Sequence, residues 1–115
     1  MGADFNKLDP YGRPNVVANS PITEIYDGRK VVAAAGVREP LSSTRVVARF
    51  VILTAETDNT GVIVVGGETA VAAQATRRGT PLNAGASMGI PCDNLAGIYL
   101  DTTVNGDGVT YTYLV

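Results

Sequence analysis

The residues that could carry chemistry in this 115-residue chain are few and lie far apart in the sequence. Histidine, the commonest general base and metal ligand, is absent, and Cys92 is the only cysteine. A nucleophilic cysteine needs a base or a cationic neighbour to lower its pKa, and no such residue adjoins Cys92, so we expect a small core or strand-end residue there. A single cysteine also excludes an internal disulfide and a thiol-based zinc site.

The aspartates of the second half of the chain lie at or near predicted turns, where aspartate commonly caps backbone amides. They are Asp58, Asp93, Asp101 and Asp107. A calcium loop would need several more oxygen ligands at defined spacing, and the glycines of "VVGGE" lack the lysine of a phosphate-binding loop. None of the four serines lies in a nucleophile elbow. The sequence therefore predicts no catalytic residue, no metal site and no cofactor, and we expect that the protein is not an enzyme.

Composition narrows the class of protein further. Hydrophobic residues make up 45% of the chain and charged residues only 17%. Because about a quarter of the residues are charged in typical soluble domains, we expect partners to cover part of this surface. The formal net charge of -2 offers no basic field for nucleic acid. The start of the chain lacks the pattern of a signal peptide, and no apolar run approaches about 18 residues, so we expect cytoplasmic synthesis and no membrane contact.

Residues 1–28 are predicted to form an extended arm that precedes the folded domain. Pro10, Pro14 and Pro21 disfavour regular helix there, because proline fixes φ and pushes its predecessor toward extended conformations. The arm also carries six large apolar residues that a solvated linker would not need: Phe5, Leu8, Tyr11, Ile22, Ile25 and Tyr26. Two interpretations stay open: a flexible terminus, or an arm that becomes ordered on a neighbouring subunit through these six side chains.

Residues 29–115 predict one all-β domain. The segment "KVVAAAG" (30–36) is the first candidate strand, and apolar residues alternate in "RVVARFVIL" (45–53). "GVIVVGG" is apolar on both faces, as in a buried strand, and "ETAVAAQAT" (68–76) is interpreted as a strand with a small-residue edge. Short strands at regular spacing with Gly, Asn and Pro turns favour a compact antiparallel β-sandwich or a jelly-roll-like barrel.

The C-terminal segment shows the clearest strand pattern. In "GIYLDTTV" the alternation predicts an inward set of residues and an outward set. The inward set is Ile98, Leu100 and Val104, and the outward set is Tyr99, Asp101 and Thr103. In "VTYTYLV" the face that holds Val109, Tyr111 and Tyr113 is predicted to join the core. The "NGDG" between the two segments predicts a hairpin turn that would pair them.

The stretches "NTGVIVVGG" and "RRGTPLNAGASMGIPCDNLAGIYLDTTVNGDGVTYTYLV" combine turns and core positions in a pattern shared with a known class of proteins. Over about residues 59–115 the chain resembles small bacteriophage virion proteins of the capsid decoration, or cement, type. The resemblance implies a compact β domain on the outer capsid shell of a virion that is assembled in the host cytoplasm. It also implies the major capsid protein as the partner and a homo-oligomer, with a trimer favoured.

Two functions of different classes remain as hypotheses. The first is a structural virion protein that stabilises the capsid shell by bridging neighbouring capsomers, with the arm reaching a neighbour. The second is a phage tail or head-fibre module that recognises a host surface ligand, which should display an exposed aromatic cluster in its loops. Most of the five tyrosines fall in predicted strands and tryptophan is absent, which counts against a platform for sugar stacking.

Overall fold

A computed structural model describes residues 22–115, which fold into eight β-strands and two short 3-10 turns. The strands are β1 (Ile25–Val31), β2 (Glu39–Pro40), β3 (Phe50–Ala55), β4 (Ile63–Gly66), β5 (Thr80–Leu82), β6 (Ser87–Pro91), β7 (Tyr99–Thr102) and β8 (Gly108–Leu114). The 3-10 turns are Gln74–Thr76 and Leu95–Gly97. The predicted all-β fold is confirmed, whereas residues 1–21 of the predicted arm lie outside the described residues.

The strands form two antiparallel sheets in the order of a jelly roll. The first sheet has the order β1-β8-β3-β6 and the second has the order β2-β7-β4-β5. The first strand therefore pairs with the last, the second with the seventh, the third with the sixth and the fourth with the fifth. This is the pairing of one long hairpin folded over on itself, and it buries one face of each sheet against the other.

The hydrophobic core lies between the two sheets. On β3 the buried residues are Val51, Leu53 and Ala55. Ile52, which lies between them, is 43% exposed, as expected for a strand with one face toward solvent. β4 differs because Ile63, Val64 and Val65 are all buried, which confirms that "GVIVVGG" contains an interior strand apolar on both faces.

Two predicted strand boundaries are wrong. β1 begins at Ile25 rather than at residue 30, because residues 25–28 pair with the C-terminal strand β8. The predicted boundary between arm and domain at residue 28 therefore falls inside this strand. β3 begins at Phe50 rather than at Arg45, and before it Val47 makes only an isolated bridge to Asn94.

The segment "ETAVAAQAT" contains no strand, contrary to its interpretation from sequence. It holds the 3-10 turn Gln74–Thr76, and the backbones of Val71 and Arg78 exchange two hydrogen bonds of 3.1 and 2.9 Å that close a loop around it. Ala70 and Ala72 are buried, but an alanine side chain buries too little apolar surface to hold an extended strand in place.

The predicted hairpin at "NGDG" is also wrong. β7 pairs with β2 and β4 in the second sheet, whereas β8 pairs with β1 and β3 in the first, so this turn carries the chain from one sheet to the other.

Two predicted side-chain orientations in "GIYLDTTV" are reversed as well: Asp101 is only 2% exposed and Val104 is 36% exposed. Val104 departs from the predicted alternation because the strand ends at Thr102. Asp101 is buried because its carboxylate accepts hydrogen bonds from backbone amides. Ile98 and Leu100 are buried as predicted.

Candidate functional site

Three of the six predicted arm contacts lie within the described residues, at the start of β1. Ile22 is 50% exposed, Ile25 70% and Tyr26 43%, although all three are large apolar or aromatic side chains. Phe5, Leu8 and Tyr11 lie outside the described residues. The structure therefore places an exposed apolar segment where the predicted arm joins the domain.

Tyr26 is the outermost ring of a stack of three tyrosines, which we name the tyrosine ladder (Tyr26, Tyr113, Tyr111). The register of β1 and β8 sets Tyr26 opposite Tyr113 and Gly28 opposite Tyr111. The ring centroids lie 5.4 Å apart for Tyr26 and Tyr113 and 6.1 Å apart for Tyr111 and Tyr113, within the range of favourable aromatic contacts. Gly28 makes room for the ladder, since a Cβ atom there would lie 2.5 Å from the Tyr111 ring.

The hydroxyl of the outermost ring of the ladder is also held. The Tyr26 hydroxyl donates a hydrogen bond of 2.7 Å to Glu24 Oε1, and this contact raises the pKa of the tyrosine above its ordinary value. Burial raises the pKa of Tyr111. Both hydroxyls therefore stay protonated at neutral pH and act as hydrogen-bonding groups rather than as charges.

The opposite, solvent-facing side of the first sheet carries an apolar row at the same end of the strands. The pairing sets Ile25 beside Leu114, Leu114 beside Phe50 and Phe50 beside Pro91, one residue from each of the four strands. Val51 and Leu53 point into the core, so the alternation of β3 turns Phe50 and Ile52 outward. We call Ile25, Leu114, Phe50 and Pro91 the apolar row. Together with Ile52, which lies on the same face of β3, it makes a patch that can bury apolar surface against a partner.

Further along the same face the surface becomes polar. A shallow depression of about 490 Å³ is lined by Asp27, Arg29, Ile52, Thr54, Thr110 and Thr112, among others. The Arg29 guanidinium donates from Nε to Glu56 Oε2 and from Nη2 to Glu56 Oε1, the latter bond measuring 3.0 Å. This bidentate pair uses Nε and Nη2 of the guanidinium.

Two glutamates are held in their charged form by partners on other segments. The hydrogen bond from Arg29 lowers the pKa of Glu56, and hydrogen bonds from the Ala33 amide and the Lys30 amine lower the pKa of Glu39. The Ala33 N–H donates to Glu39 Oε2 at 3.0 Å and Lys30 Nζ to Oε1 at 2.9 Å. These pairs join the C-terminal end of β1 to β2 in the second sheet and to the residue that follows β3 in the first.

The lowered pKa values predict a loss of stability in acid. A carboxylate whose pKa is lower in the folded state stabilises the fold above its unfolded pKa of about 4.3, and this contribution disappears as the pH falls through the folded value. We expect the free energy of unfolding, measured by urea titration, to decrease as the pH drops from about 5 to 3. Glu39→Gln should lower stability at pH 7 and should make the acid-dependent loss smaller. An equal loss in acid for the variant and the wild type would contradict this assignment.

Two of the four aspartates that were predicted at turns, Asp101 and Asp107, accept hydrogen bonds from backbone amides of distant loops. Asp107, 5% exposed, accepts hydrogen bonds from Thr60 N at 3.2 Å and Gly61 N at 2.8 Å. Asp101 accepts from three amides, those of Gly36, Ala72 and Thr102, at 2.8–3.0 Å. Their lone pairs are therefore used to join loops of the fold. Within residues 22–115, no three His, Cys, Asp or Glu side chains come together in a way that could hold a metal ion.

Cys92 lies at the end of β6, where it is partly buried and packs against the hydrophobic core. Burial raises the pKa of its thiol, which keeps it protonated and weakly nucleophilic at neutral pH. This position agrees with the expectation of a strand-end residue.

Sequence reasoning did not find the tyrosine ladder or the apolar row. The alternation of "VTYTYLV" placed Tyr111 and Tyr113 on one face, but Tyr26 was assigned to the arm. Leu114, Phe50 and Pro91 meet only because β8 and β6 flank β3, a pairing that no local pattern encodes.

The described residues contain no helix that is long and apolar enough to cross a membrane. Comparison of the chain with protein-family models, with curated proteins and with solved structures finds no match.

Proposed function

We propose that this chain is a structural virion protein of the capsid decoration, or cement, type, which binds the outer capsid shell and stabilises it by bridging neighbouring capsomers. The observation that carries the proposal is the exposed apolar patch where the predicted arm joins the domain. Ile25, a member of the apolar row, is 70% exposed there, and Ile22, three residues earlier in the chain, is 50% exposed. The major capsid protein is the proposed partner, and the protein acts at the surface of the virion.

The geometry suits a protein that works by binding rather than by catalysis. Its buried carboxylates are used by backbone amides, and its jelly-roll domain supplies a stiff body with a broad sheet face. A segment of about 20 residues before that body can span tens of ångströms when extended, enough to reach an adjacent capsomer. Each contact need only be modest, because many copies on one shell act together through avidity.

The proposal is tested by binding to capsid shells that lack the protein. Deletion of residues 2–21 is expected to leave the β domain folded, because the eight strands lie within residues 22–115. The truncated domain should bind the shells at least tenfold more weakly in co-sedimentation, because about half of the predicted contacts are lost. Circular dichroism before and after the deletion checks that the β signal is kept.

Point variants separate the patch from the arm. Ile25→Asp in the full chain should also weaken shell binding, since it places a charge in the patch. Val37→Asp is the matched control, because Val37 is a 60% exposed apolar residue outside the patch. Unchanged binding by the truncated chain and by Ile25→Asp, or failure of the intact protein to bind the shells, would overturn the proposal.

The second candidate is a phage tail or head-fibre module that recognises a host surface ligand. The tyrosine ladder favours it, since aromatic stacks are common in ligand-binding faces and Tyr26 is 43% exposed. The ladder lies in strands rather than in loops, which is why the capsid role ranks first. Binding of the purified protein to host cells but not to capsid shells would favour the second candidate.

A further inference from the structure

The outer edge of β1 offers backbone groups for pairing with another strand. β1 is the first strand of its sheet, and among residues 22–115 only β8 pairs with it. Glu24 and Val115 exchange two backbone hydrogen bonds, of 2.9 and 3.3 Å. Hydrogen-bonded pairs recur at every second residue of an antiparallel ladder. Even-numbered residues of β1 therefore bond to β8, and odd-numbered residues turn their N–H and C=O groups toward the outer edge. The outward-turned residues are Ile25, Asp27, Arg29 and Val31.

The sequence of β1, "IYDGRKV", is chemically complementary to itself when reversed. If two copies lie antiparallel with Gly28 at the centre, Asp27 lies opposite Arg29 of the second copy. In the same register Tyr26 lies opposite Lys30, and Ile25 lies opposite Val31. The first and the last of these combinations are favourable across an antiparallel pair, as an ion pair and as an apolar contact.

We propose that the outer edge of β1 binds β1 of a second copy of this chain in antiparallel orientation, with a twofold axis at Gly28. The odd-numbered residues then form four hydrogen-bonded pairs of two bonds each, about eight backbone hydrogen bonds in all. The two first sheets merge into one sheet that runs across both copies. Such a contact is isologous, as expected for a symmetric dimer. It goes beyond the proposed capsid role and does not depend on it.

Charge selects this register over its neighbours. A shift by two residues in one direction sets Asp27 opposite Asp27 of the second copy, and a shift in the other direction sets Arg29 opposite Arg29. Like charges directly opposite each other destabilise a strand pair. The register centred on Gly28 is therefore favoured over both neighbouring registers that use the same backbone groups.

Charged residues on an edge strand often serve to prevent pairing, but β1 lacks the other features of a protected edge. Protected edges are typically short, bulged or interrupted by proline, whereas β1 has seven residues, an unbroken register with β8 and no proline. Ile25 on this edge is 70% exposed. The Arg29 pair with Glu56 uses Nε and Nη2, which leaves Nη1 for the carboxylate of Asp27 in the second copy.

The test is the mass of the full chain in solution, by sedimentation and light scattering from about 1 to 300 μM. Wild type is expected to reach the mass of a dimer, whereas the trimer expected from the sequence resemblance would give three chain masses. Asp27→Arg sets two arginines opposite each other and Arg29→Asp two aspartates, so each is expected to weaken dimerisation about tenfold or more. The double variant D27R/R29D restores opposite charges and should recover dimerisation.

Two controls keep the result unambiguous. Asp93→Arg reverses an exposed charge outside β1 and should leave the mass unchanged. Asp27→Pro removes one outward N–H without removing a bond to β8, so it should give a folded monomer, checked by circular dichroism. A monomer at all concentrations, a trimer, a dimer insensitive to both single charge reversals, or a failure of the double variant to recover would overturn the proposal. A dimer that forms only after deletion of residues 2–21 would show that the chain's own arm covers this edge, and would overturn it too.

Discussion

Replacement of Asp101 by alanine is expected to lower the free energy of unfolding by about 3–4 kcal/mol, a large part of the roughly 5–15 kcal/mol typical of a domain. The carboxylate is 2% exposed and accepts hydrogen bonds from the amides of Gly36, Ala72 and Thr102. Ala72 and Thr102 are themselves buried, so their N–H groups would find no water as a substitute acceptor. The variant also removes a buried charge, but we expect that relief to be smaller than the cost of the orphaned amides.

Urea unfolding at neutral pH measures the loss of stability in each variant of Asp101. Asp101→Asn should be intermediate, because its amide oxygen can keep the bonds to Gly36 and Thr102 while its NH₂ group faces the Ala72 N–H. Asp58→Ala, at an exposed aspartate, is the matched control and should change stability by less than about 0.5 kcal/mol. Equal stabilities of Asp101→Ala and Asp58→Ala would contradict the role assigned to the buried carboxylate.

Asp101 also illustrates where sequence reasoning stops. The alternation in "GIYLDTTV" correctly predicted that Ile98 and Leu100 are buried, because the spacing of apolar residues indicates which face of a strand lies against the core. The same rule wrongly predicted that Asp101 faces solvent. It treats a carboxylate as polar and does not consider the backbone amides that can donate hydrogen bonds to it. Two of those donors come from loops 65 and 29 residues earlier in the chain, a distance at which local pattern carries no signal.

Strand pairing shows the same limit. The number of short strands and the turns between them predicted an all-β fold, and that part is confirmed. The "NGDG" turn predicted a hairpin. In a jelly roll, however, nearly every turn joins the two sheets, so the residues of a turn do not show whether the strands on either side of it pair. The exposed residues Ile22, Ile25 and Tyr26 were identified as apolar from sequence, whereas the ladder and the apolar row depend on the register between distant strands.

Gly79→Ala is the second substitution from which we expect a large loss, about 3 kcal/mol or more. Gly79 has a φ of +112°, a backbone conformation that side chains disfavour, and it lies against β4. A Cβ atom there would lie 2.7 Å from the Val65 carbonyl oxygen and 2.7 Å from Val64 Cγ1. Val64 and Val65 are buried in the interior strand of the second sheet, so neither the backbone nor the side chain can move away without disturbing the core.

Gly106→Ala separates the two causes of the stability loss in Gly79→Ala, which are the disfavoured φ and the steric clash with β4. Gly106 also has a positive φ, +86°, but a Cβ atom there would meet nothing within 4 Å. It should therefore cost only the conformational penalty of about 1–2 kcal/mol, and the remaining loss in Gly79→Ala measures the clash with β4. Thermal and urea unfolding of the two variants give this difference directly.

Because Thr80, next to Gly79, pairs with Val65, we also expect hydrogen exchange to quicken along β4 and β5 in Gly79→Ala and to stay unchanged there in Gly106→Ala. Equal losses in the two variants would mean that β4 and β5 can separate to admit a methyl group, and the second sheet would then be less rigid than its packing indicates.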